Sequence, residues 1–280
     1  GDVEKLREFI AKYIKYGDEK ETLYMIDNGK IRPSKSLQDS LLNMLKGNQE
    51  FIMIDDQKLV YETAIEMARK SYNDGKKRVL VVKGGPGTGK SVLAVNLLVK
   101  LTSENMVCSY VTKNAAPRSV YAAKLSGSLR KNRINNLFMG SGLFTESAPN
   151  EFDVLLVDEA HRLNAKSGMF QNKGENQIKE IINASKLSVF FIDESQRVTL
   201  KDIGTVEEIE KYINRAGAES KLMELESQFR CNGSDGYIAW LDDVLYIRKT
   251  ANNEGFNLDY DIEIFDSPNE VRDKIFEKNR

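Results

Sequence analysis

Five short runs along the middle of the chain are apolar at most positions: Val79–Val82, Met106–Val111, Val154–Val157, Val189–Ile192 and, more weakly, Leu222–Leu225. Apolar residues recur at helical spacing in the stretches between these runs: 90–101, 177–184 and 206–214. Strands without polar alternation are buried on both faces, and helices between consecutive strands allow those strands to run parallel. The pattern therefore predicts an α/β fold in which a parallel sheet is flanked by helices.

The pattern changes towards both ends of the chain. Residues 3–16 carry apolar side chains at helical spacing, and a second short helix is predicted over residues 37–45. Near the other end, residues 262–265 are predicted to form a strand. Residues 267–270 then read as a capping box with proline at the first helical position, so a helix is expected to begin there.

Composition narrows the class of protein. The chain has 280 residues, of which 41% are hydrophobic and 30% charged, with a formal net charge of −1. This near-neutral total excludes a surface that attracts nucleic acid as a whole, so any such surface must be local. Two basic clusters, Lys76–Arg78 and Arg130–Arg133, are candidates, although solvated loop charge is the simpler interpretation of each.

The spacing of the cysteines and the hydropathy of the chain indicate the cellular compartment of the protein. Cys108 and Cys231 are far apart and match no metal-ligand spacing, which fits a reducing compartment. No apolar run approaches the length of a membrane span, and no signal peptide is visible. We therefore expect a cytoplasmic location with no membrane partner.

One segment carries a specific chemical signal. Gly84–Ser91 reads Gly-Gly-Pro-Gly-Thr-Gly-Lys-Ser, follows an apolar run and begins a helical stretch. Glycines let the backbone curl so that its N–H groups face a phosphate chain, and the next helix directs its positive end at the same anion. Lys90 can then reach the β- and γ-phosphates, and Ser91 can ligate magnesium. The predicted nucleoside triphosphate site consists of Gly85, Pro86, Gly87, Thr88, Gly89, Lys90 and Ser91.

Two adjacent carboxylates end a later strand. The run Val154–Val157 is followed directly by Asp158 and Glu159. In enzymes with this phosphate loop, the first carboxylate holds magnesium, usually through water, and the second can activate the attacking water. The alternative is an ordinary acidic turn. His161 is the only histidine and is given no proton-transfer role.

Two further polar groups complete the candidate chemistry. Gln196 lies just beyond the strand at 189–192, where ligands gather in parallel sheets. A glutamine there can contact the attacking water or the γ-phosphate, and a polar strand end is the alternative. Arg230 is a weak signal alone, because a loop arginine is usually solvated. Together with the other groups, it is interpreted as an arginine directed at the γ-phosphate.

The order of these motifs resembles the superfamily-one helicases, and most closely the bacterial Schlafen group 3-like DNA/RNA helicase domain family. The resemblance covers about residues 50–245 and rests on five segments: Gly84–Ser91, Val111–Arg118, Val157–Arg162, Ile192–Val198 and Gln228–Cys231. The string Asp-Glu-Ala-His alone would also suggest superfamily two. The string Asp-Glu-Ser-Gln, in place of a Ser-Ala-Thr-type motif, favours superfamily one. Motifs V and VI are not found before the last residue.

The resemblance implies further roles. It implies that Gln57 recognises adenine, the alternative being a capped helix start with an exposed glutamine. It implies that Thr112, Lys113 and Asn114 contact the backbone of a nucleic acid, the alternative for Lys113 being an ordinary surface lysine. A hydroxyl, an ammonium and an amide suit phosphate and sugar without base readout. Arg230 would be the motif IV arginine.

These observations together predict a RecA-like P-loop NTPase. We expect a helical or linker region at 1–50, a RecA-like ATP-binding domain at 51–214 and the start of a second RecA-like domain at 215–280. The expected function is that of an ATP-hydrolysing motor that uses ATP and Mg²⁺, acts on single-stranded DNA or RNA and is joined to further domains. The alternative is a nucleotide-sensing switch, for example in phage defence, that binds a protein partner without moving along a strand.

Overall fold

The apolar runs form one parallel sheet, as the sequence predicts. Its strands are β1 (Arg78–Gly84), β2 (Cys108–Thr112), β3 (Phe138–Gly140), β4 (Phe152–Val157), β5 (Ser185–Ile192) and β6 (Glu219–Leu225). Their order across the sheet is β3-β2-β4-β5-β1-β6, and the paired strands are all parallel. The strands that precede the two strongest motifs, β1 and β4, are therefore separated only by β5.

Helices of the first part of the chain connect the strands and cover both faces of the sheet. They are α1 (Asp55–Asp74), α2 (Lys90–Ser103), α3 (Ala115–Leu125), α4 (Lys131–Leu137), α5 (Gln177–Ala184) and α6 (Val206–Ala216). A further helix, α7 (Pro268–Lys278), follows near the end of the chain. Short 3₁₀ turns follow β3, β4 and β5 at Ser141–Leu143, Ala160–Arg162 and Glu194–Gln196. The helices predicted at 90–101, 177–184 and 206–214 are confirmed as α2, α5 and α6.

This computed structural model describes residues 53, 55–126, 129, 131–168, 172–197, 199, 201–226, 263 and 265–279. The helices predicted at 3–16 and 37–45 lie outside these residues, as does half of the strand predicted at 262–265. Within the described residues, no helix is long and apolar enough to cross a membrane.

The chain divides into two compact units between Glu226 and Ser227. β6 pairs with β1 in the sheet of the first unit. This unit therefore continues past 214/215, where the sequence places the domain boundary. A second RecA-like domain stays a prediction.

Two apolar cores explain why successive strand positions are apolar. Along β1, Leu80 and Val82 join a core that includes residues of α1 and α2. Val79 and Val81 join the opposite core, which includes residues of α5 and α6. Because side chains of a strand alternate between the two faces of a sheet, both sets of positions must be apolar. The doubly covered sheet is a firm layer that supports the loops at its strand ends.

Two residues of the first basic cluster, Lys77 and Arg78, are structural, which corrects their interpretation as solvated loop charge; Lys76 is exposed, as that interpretation expects. Arg78 is buried at the start of β1. Its guanidinium lies 2.8 Å from a carboxylate oxygen of Asp74 and 2.8 Å from one of Glu219. The sequence could not reveal the second pair, because Glu219 lies on a strand that reaches Arg78 only in the folded sheet.

Lys77 caps the C-terminal end of α5. Its ammonium donates to the carbonyl oxygens of Ile182, Asn183 and Ser185 and to the side chain of Asn150, at 2.6–3.0 Å. Basic groups at this end of a helix satisfy its last carbonyls and complement its dipole. Burial lowers the pKa of Lys77 to about 8, so the side chain remains mostly charged at neutral pH.

We expect Lys77→Met to lower the free energy of unfolding by about 2–3 kcal/mol, because four acceptors lose a charged donor. Lys76→Met is the matched control. The Lys76 side chain is exposed and only approaches Glu219, at 3.9 Å, so its loss should change stability by less than about 0.5 kcal/mol. Urea denaturation measures both variants. Equal stability of the two would contradict the role given to Lys77.

In the second unit, the N-cap bond of the predicted capping box is present. Ser267 Oγ accepts a hydrogen bond from the backbone N–H of Glu270 at 3.3 Å, and Pro268 occupies the first turn of α7. The predicted start of this helix is therefore confirmed.

Candidate functional site

The segment Gly84–Ser91 connects β1 to α2 in the strand–loop–helix order that the sequence predicts. Gly87 and Gly89 have φ angles of +84° and +82°, a backbone conformation that other residues rarely adopt. Gly89 is also the N-cap of α2. Because glycine has no side chain to bond the first N–H groups of the helix, those groups are suited to an anionic ligand.

Lys90 lies against the loop that precedes it. Its Nζ donates to the carbonyl oxygens of Gly84 and Gly85, each at 2.6 Å. The same Nζ lies 4.0 Å from Oδ2 of Asp193, at the end of β5, and the Lys90 side chain is only 11% exposed. Asp193 Oδ2 is buried without a hydrogen-bond partner among the described residues. The ammonium of Lys90 and the carboxylate of Asp193 therefore bring the phosphate loop and the end of β5 together in one charged site.

Asp158 is held at the end of β4 by a buried tyrosine. Tyr110 donates its hydroxyl to Asp158 Oδ2 at 2.6 Å, and Asp158 Oδ1 accepts from the backbone N–H of Glu159 at 3.0 Å. Burial, followed by the charge of Asp158, raises the pKa of Tyr110 far above its usual value, so the phenol remains a donor. The Tyr110 ring packs against Tyr121 and Phe138, with centroids 5.6 and 5.7 Å away. The orientation of Asp158 is therefore fixed by the core.

Glu159 is partly buried, with its backbone in the left-handed region at a φ of +52°. Burial and then the charge of Asp158 raise the pKa of Glu159. A hydrogen bond from Asn114 and the charges of Arg162 and Lys90 oppose this rise. A carboxylate with a raised pKa is a better proton acceptor at neutral pH, as a general base requires.

The end of β5 carries a second acidic group. Asp193 Oδ1 accepts from the N–H and hydroxyl of Ser195 at 3.2 and 2.6 Å, so only Oδ2 faces Lys90. The backbone N–H of Asp193 donates to Nδ1 of His161 at 3.4 Å, and burial lowers the pKa of that histidine. His161 is thus placed as a neutral packing group. Gln196 is exposed in the 3₁₀ turn that follows, and its catalytic role stays a prediction.

Gln57 reaches the phosphate loop from α1. The residue is fully buried, and its Nε2 donates to the carbonyl oxygen of Thr88 at 2.8 Å. Its Oε1 has no hydrogen-bond partner among the described residues. The alternative of an exposed glutamine at a helix start is therefore wrong, because the side chain packs beneath the loop.

The segment after β2 is bound to other loops of the site. Thr112 is fully buried, and its hydroxyl accepts from the backbone N–H of Asn114 at 3.3 Å. Lys113 Nζ donates to Asp202 Oδ1 and Asn164 Oδ1, each at 3.0 Å. Thr112 is one of the three residues predicted to contact a nucleic acid. Its buried side chain bonds the backbone of the segment after β2 and holds that segment in place. Lys113 is 27% exposed and forms an ion pair with a fully buried carboxylate, so it is more than a surface lysine.

Asp202 and its neighbours hold the loop after Glu159 in place through several contacts. Besides Lys113, its carboxylate lies 3.3 Å from Arg162 Nε, and its carbonyl oxygen accepts from Arg197 Nη2 at 2.7 Å. The backbone N–H of Ile203, the residue after Asp202, donates to the carbonyl oxygen of Leu163 at 2.8 Å. These bonds join the loops that follow β2, β4 and β5.

Sequence reasoning missed three residues of this site. Asp193 follows an apolar strand as Asp158 does, so a signal for it was available. Tyr110 looks like an ordinary core residue, and Asp202 lies in a polar loop, so neither could be recognised before its partners were known. Arg230 lies outside the described residues, and its role stays a prediction.

The predicted magnesium ligands are consistent with that metal. Among the described residues, no group of three or more His, Cys, Asp or Glu side chains could hold a metal ion. Magnesium usually keeps several waters and takes one or two protein oxygens together with substrate phosphates. The hydroxyl of Ser91, an exposed residue at the start of α2, and the oriented carboxylate of Asp158 are oxygen ligands of this kind.

A family described as Schlafen group 3, DNA/RNA helicase domain matches residues 77–280 of the chain. The matched segment includes the phosphate loop and the Asp158–Glu159 pair, and it begins after Gln57. A comparison with curated proteins finds no match.

Several solved structures resemble the chain. Pif1 helicase from Candida albicans is 14% identical with a TM-score of 0.42, and the match covers 72% of this chain and 46% of that one. A DNA replication initiation factor is 18% identical with a TM-score of 0.36, covering 82% and 63%. The Hef helicase domain of Pyrococcus furiosus is 14% identical with a TM-score of 0.34, covering 62% and 40%. The chain thus spans less than two thirds of each of these proteins.

Proposed function

Because this chain belongs to the Schlafen group 3 DNA/RNA helicase domain family, we propose that it binds and hydrolyses ATP as the motor domain of a helicase or translocase. One observation carries the proposal: charged groups of the site follow three adjacent strands. These are the loop Gly84–Ser91 after β1, Asp193 after β5 and the pair Asp158–Glu159 after β4. Ligands of open parallel sheets bind at this edge, outside the C-terminal ends of the strands.

The phosphates of ATP would lie against residues 85–91. Backbone N–H groups of the loop and of the first turn of α2 can donate to phosphate oxygens, and the positive end of the α2 dipole favours the anion. Lys90 now bonds two neutral carbonyl oxygens. Charge-assisted bonds to the β- and γ-phosphates would be stronger and would replace them.

Ser91 and Asp158 are the residues that would hold Mg²⁺. A hydroxyl and a carboxylate are the hard oxygen ligands this ion prefers, and the bond from Tyr110 keeps the Asp158 carboxylate in place. When bound with ATP, the ion neutralises charge on the β- and γ-phosphates.

Glu159 is the proposed base that accepts a proton from the attacking water. Its partly buried carboxylate and raised pKa suit this task. Gln196 would contact the water or the γ-phosphate. Arg230 is proposed from the sequence to stabilise charge in the transition state, a contribution worth about 10³–10⁵ in rate in enzymes that use such an arginine.

The side chain of Gln57 is the reason to propose ATP rather than another nucleotide. Its Oε1 is an acceptor without a partner among the described residues. Adenine offers an exocyclic amino donor at the position where guanine has a carbonyl oxygen, so an unsatisfied acceptor favours adenine. Adenine recognition by Gln57 is therefore part of the proposal.

The nucleic acid is proposed to bind at the end of β2. Lys113 and Asn114 are partly exposed there, and an ammonium and an amide can contact phosphate and sugar without reading the base. Movement along a strand is proposed for the whole protein, because this chain spans only part of the helicases that it resembles.

Phosphate release from ATP with Mg²⁺, measured with and without single-stranded DNA or RNA, tests the proposal. We expect release that a polynucleotide stimulates and that Lys90→Ala lowers by about 10²–10³-fold, because the charge facing the phosphates is lost. Lys100→Ala, at a partly exposed position in the last turn of the same helix, is the control and should leave the rate unchanged.

The outcomes separate the candidate functions. Release that Lys90→Ala does not change would contradict the proposed site. Binding of ATP that depends on Lys90, without release under any condition, would favour a nucleotide switch over a motor.

A further inference from the structure

Asn114 links the end of β2 to Glu159. It is the N-cap residue of α3, but its side chain makes no bond to the helix that it caps. Its Nδ2 donates instead to Oε2 of Glu159. Asparagine at an N-cap usually accepts from the first N–H groups of its own helix. The amide of Asn114 is therefore committed to the carboxylate rather than to its helix.

The order of the strands shows towards which side of β4 this bond draws the Glu159 carboxylate. β4, which precedes Glu159, has β2 on one side and β5 on the other, and β1 with its phosphate loop lies beyond β5. Neighbouring strands are about 4.8 Å apart, so β2 and β1 are separated by roughly 14 Å. A bond from the end of β2 therefore draws the Glu159 carboxylate towards β2, whereas the phosphate loop lies on the other side of β4, beyond β5.

The surroundings of Asn114 allow its amide to move while its backbone stays in place. Its N–H donates to the hydroxyl of Thr112 at 3.3 Å, and its carbonyl oxygen accepts from Arg118 Nε at 3.2 Å. The side chain has two suitable sets of partners, Glu159 and the first N–H groups of α3. Turning from one to the other needs only side-chain rotation.

We propose that Asn114 is a positioning residue that holds Glu159 away from the phosphate loop until a nucleic-acid strand binds at the end of β2. The inference rests on the proposed function, since it assumes that Glu159 is the base and that strands bind beside Asn114. Phosphate and sugar oxygens of the strand compete for the amide donor. Once released, the carboxylate turns towards the phosphate loop. Strand binding thereby sets the rate of hydrolysis.

The test compares ATP turnover by the wild type, Asn114→Ala and Asn114→Asp, each with and without saturating oligo(dT) or oligo(U). Both variants lose the donor to Glu159, so we expect basal turnover to rise about tenfold, the effect of one hydrogen bond to a charged group. The KM for ATP should stay within about twofold, because no ATP contact is removed. Stimulation by the strand should fall towards one.

Asn114→Asp separates this role from a structural one. Aspartate is as good an N-cap residue as asparagine but has no N–H to donate to a carboxylate. If Asn114 only stabilised α3, Asn114→Asp would behave like the wild type. Should Asn114→Ala fail to fold, Asn114→Asp carries the test. Ser119→Ala, on an exposed position of the same helix, is the control.

Each outcome decides the inference. Higher basal turnover with lost stimulation in Asn114→Asp supports it, as does turnover that appears only in this variant. Unchanged stimulation, or a basal rate lowered together with the stimulated rate, overturns the inference while Lys90-dependent turnover of the wild type upholds the proposed function. Absence of Lys90-dependent turnover in every protein overturns both.

Discussion

Glu159→Gln is expected to lower ATP turnover by about 10²–10⁴-fold while ATP still binds, because glutamine matches the shape of glutamate but cannot accept a proton. The structure favours this separation of binding from hydrolysis. Glu159 lies after β4, whereas the groups that face the phosphates lie after β1. The amide oxygen of a glutamine can still accept from Asn114, so the local packing is preserved.

Phosphate release and the binding of a fluorescent ATP analogue measure the two effects independently. Glu207→Gln is the matched control, since Glu207 is exposed in the first turn of α6 and should tolerate the same change. If Glu159→Gln kept more than about a tenth of the wild-type turnover, Glu159 would not be the base.

Gly204→Ala should destabilise the protein by about 3 kcal/mol or more and impair turnover, because the added methyl group has no room. A Cβ at this position would lie 1.9 Å from the carbonyl oxygen of Ala160 and 2.7 Å from the Cα of His161. Both neighbours are backbone atoms and cannot rotate away. They belong to the 3₁₀ turn that directly follows Glu159, so we expect relief of the clash to shift the backbone next to the proposed base.

Gly217→Ala is the control for the loss of a glycine. Gly217 has a φ of +61° but open space around its Cα, so alanine there should cost only about 1 kcal/mol of backbone strain. Urea denaturation measures the stability of both variants, and phosphate release at a temperature where both are folded measures turnover. A Gly204→Ala protein no less stable than Gly217→Ala would show that the 202–204 segment does not clamp the loop after Glu159.

The phosphate loop and the sheet could be recognised from sequence because their determinants are contiguous. An apolar strand, a glycine-rich turn and a helix follow one another between residues 79 and 101. Burial on both faces of the sheet explains why strands such as 154–157 are apolar throughout. The two carboxylates after β4 stood out for the same reason, since a polar pair directly after a buried strand is a local pattern.

The roles of individual basic and polar side chains could not be recognised in the same way. Lys113 pairs with Asp202, which lies 89 residues further along the chain, and Lys77 bonds carbonyl oxygens more than 100 residues away. In the sequence alone, each of these lysines looks like a solvated surface charge. Gln57 likewise looks exposed until α1 packs it beneath the phosphate loop.

Local order along the chain thus specifies the α/β fold, the phosphate loop and the carboxylates that follow β4, because each depends on neighbours in sequence. The contacts that orient those groups depend on folding. Tyr110 against Asp158, Asn114 against Glu159 and Asp202 against Lys113 all join residues that separate strands or loops bring together. Parallel strands place the ends of distant segments at one edge of a sheet, and only that placement determines which donor meets which acceptor.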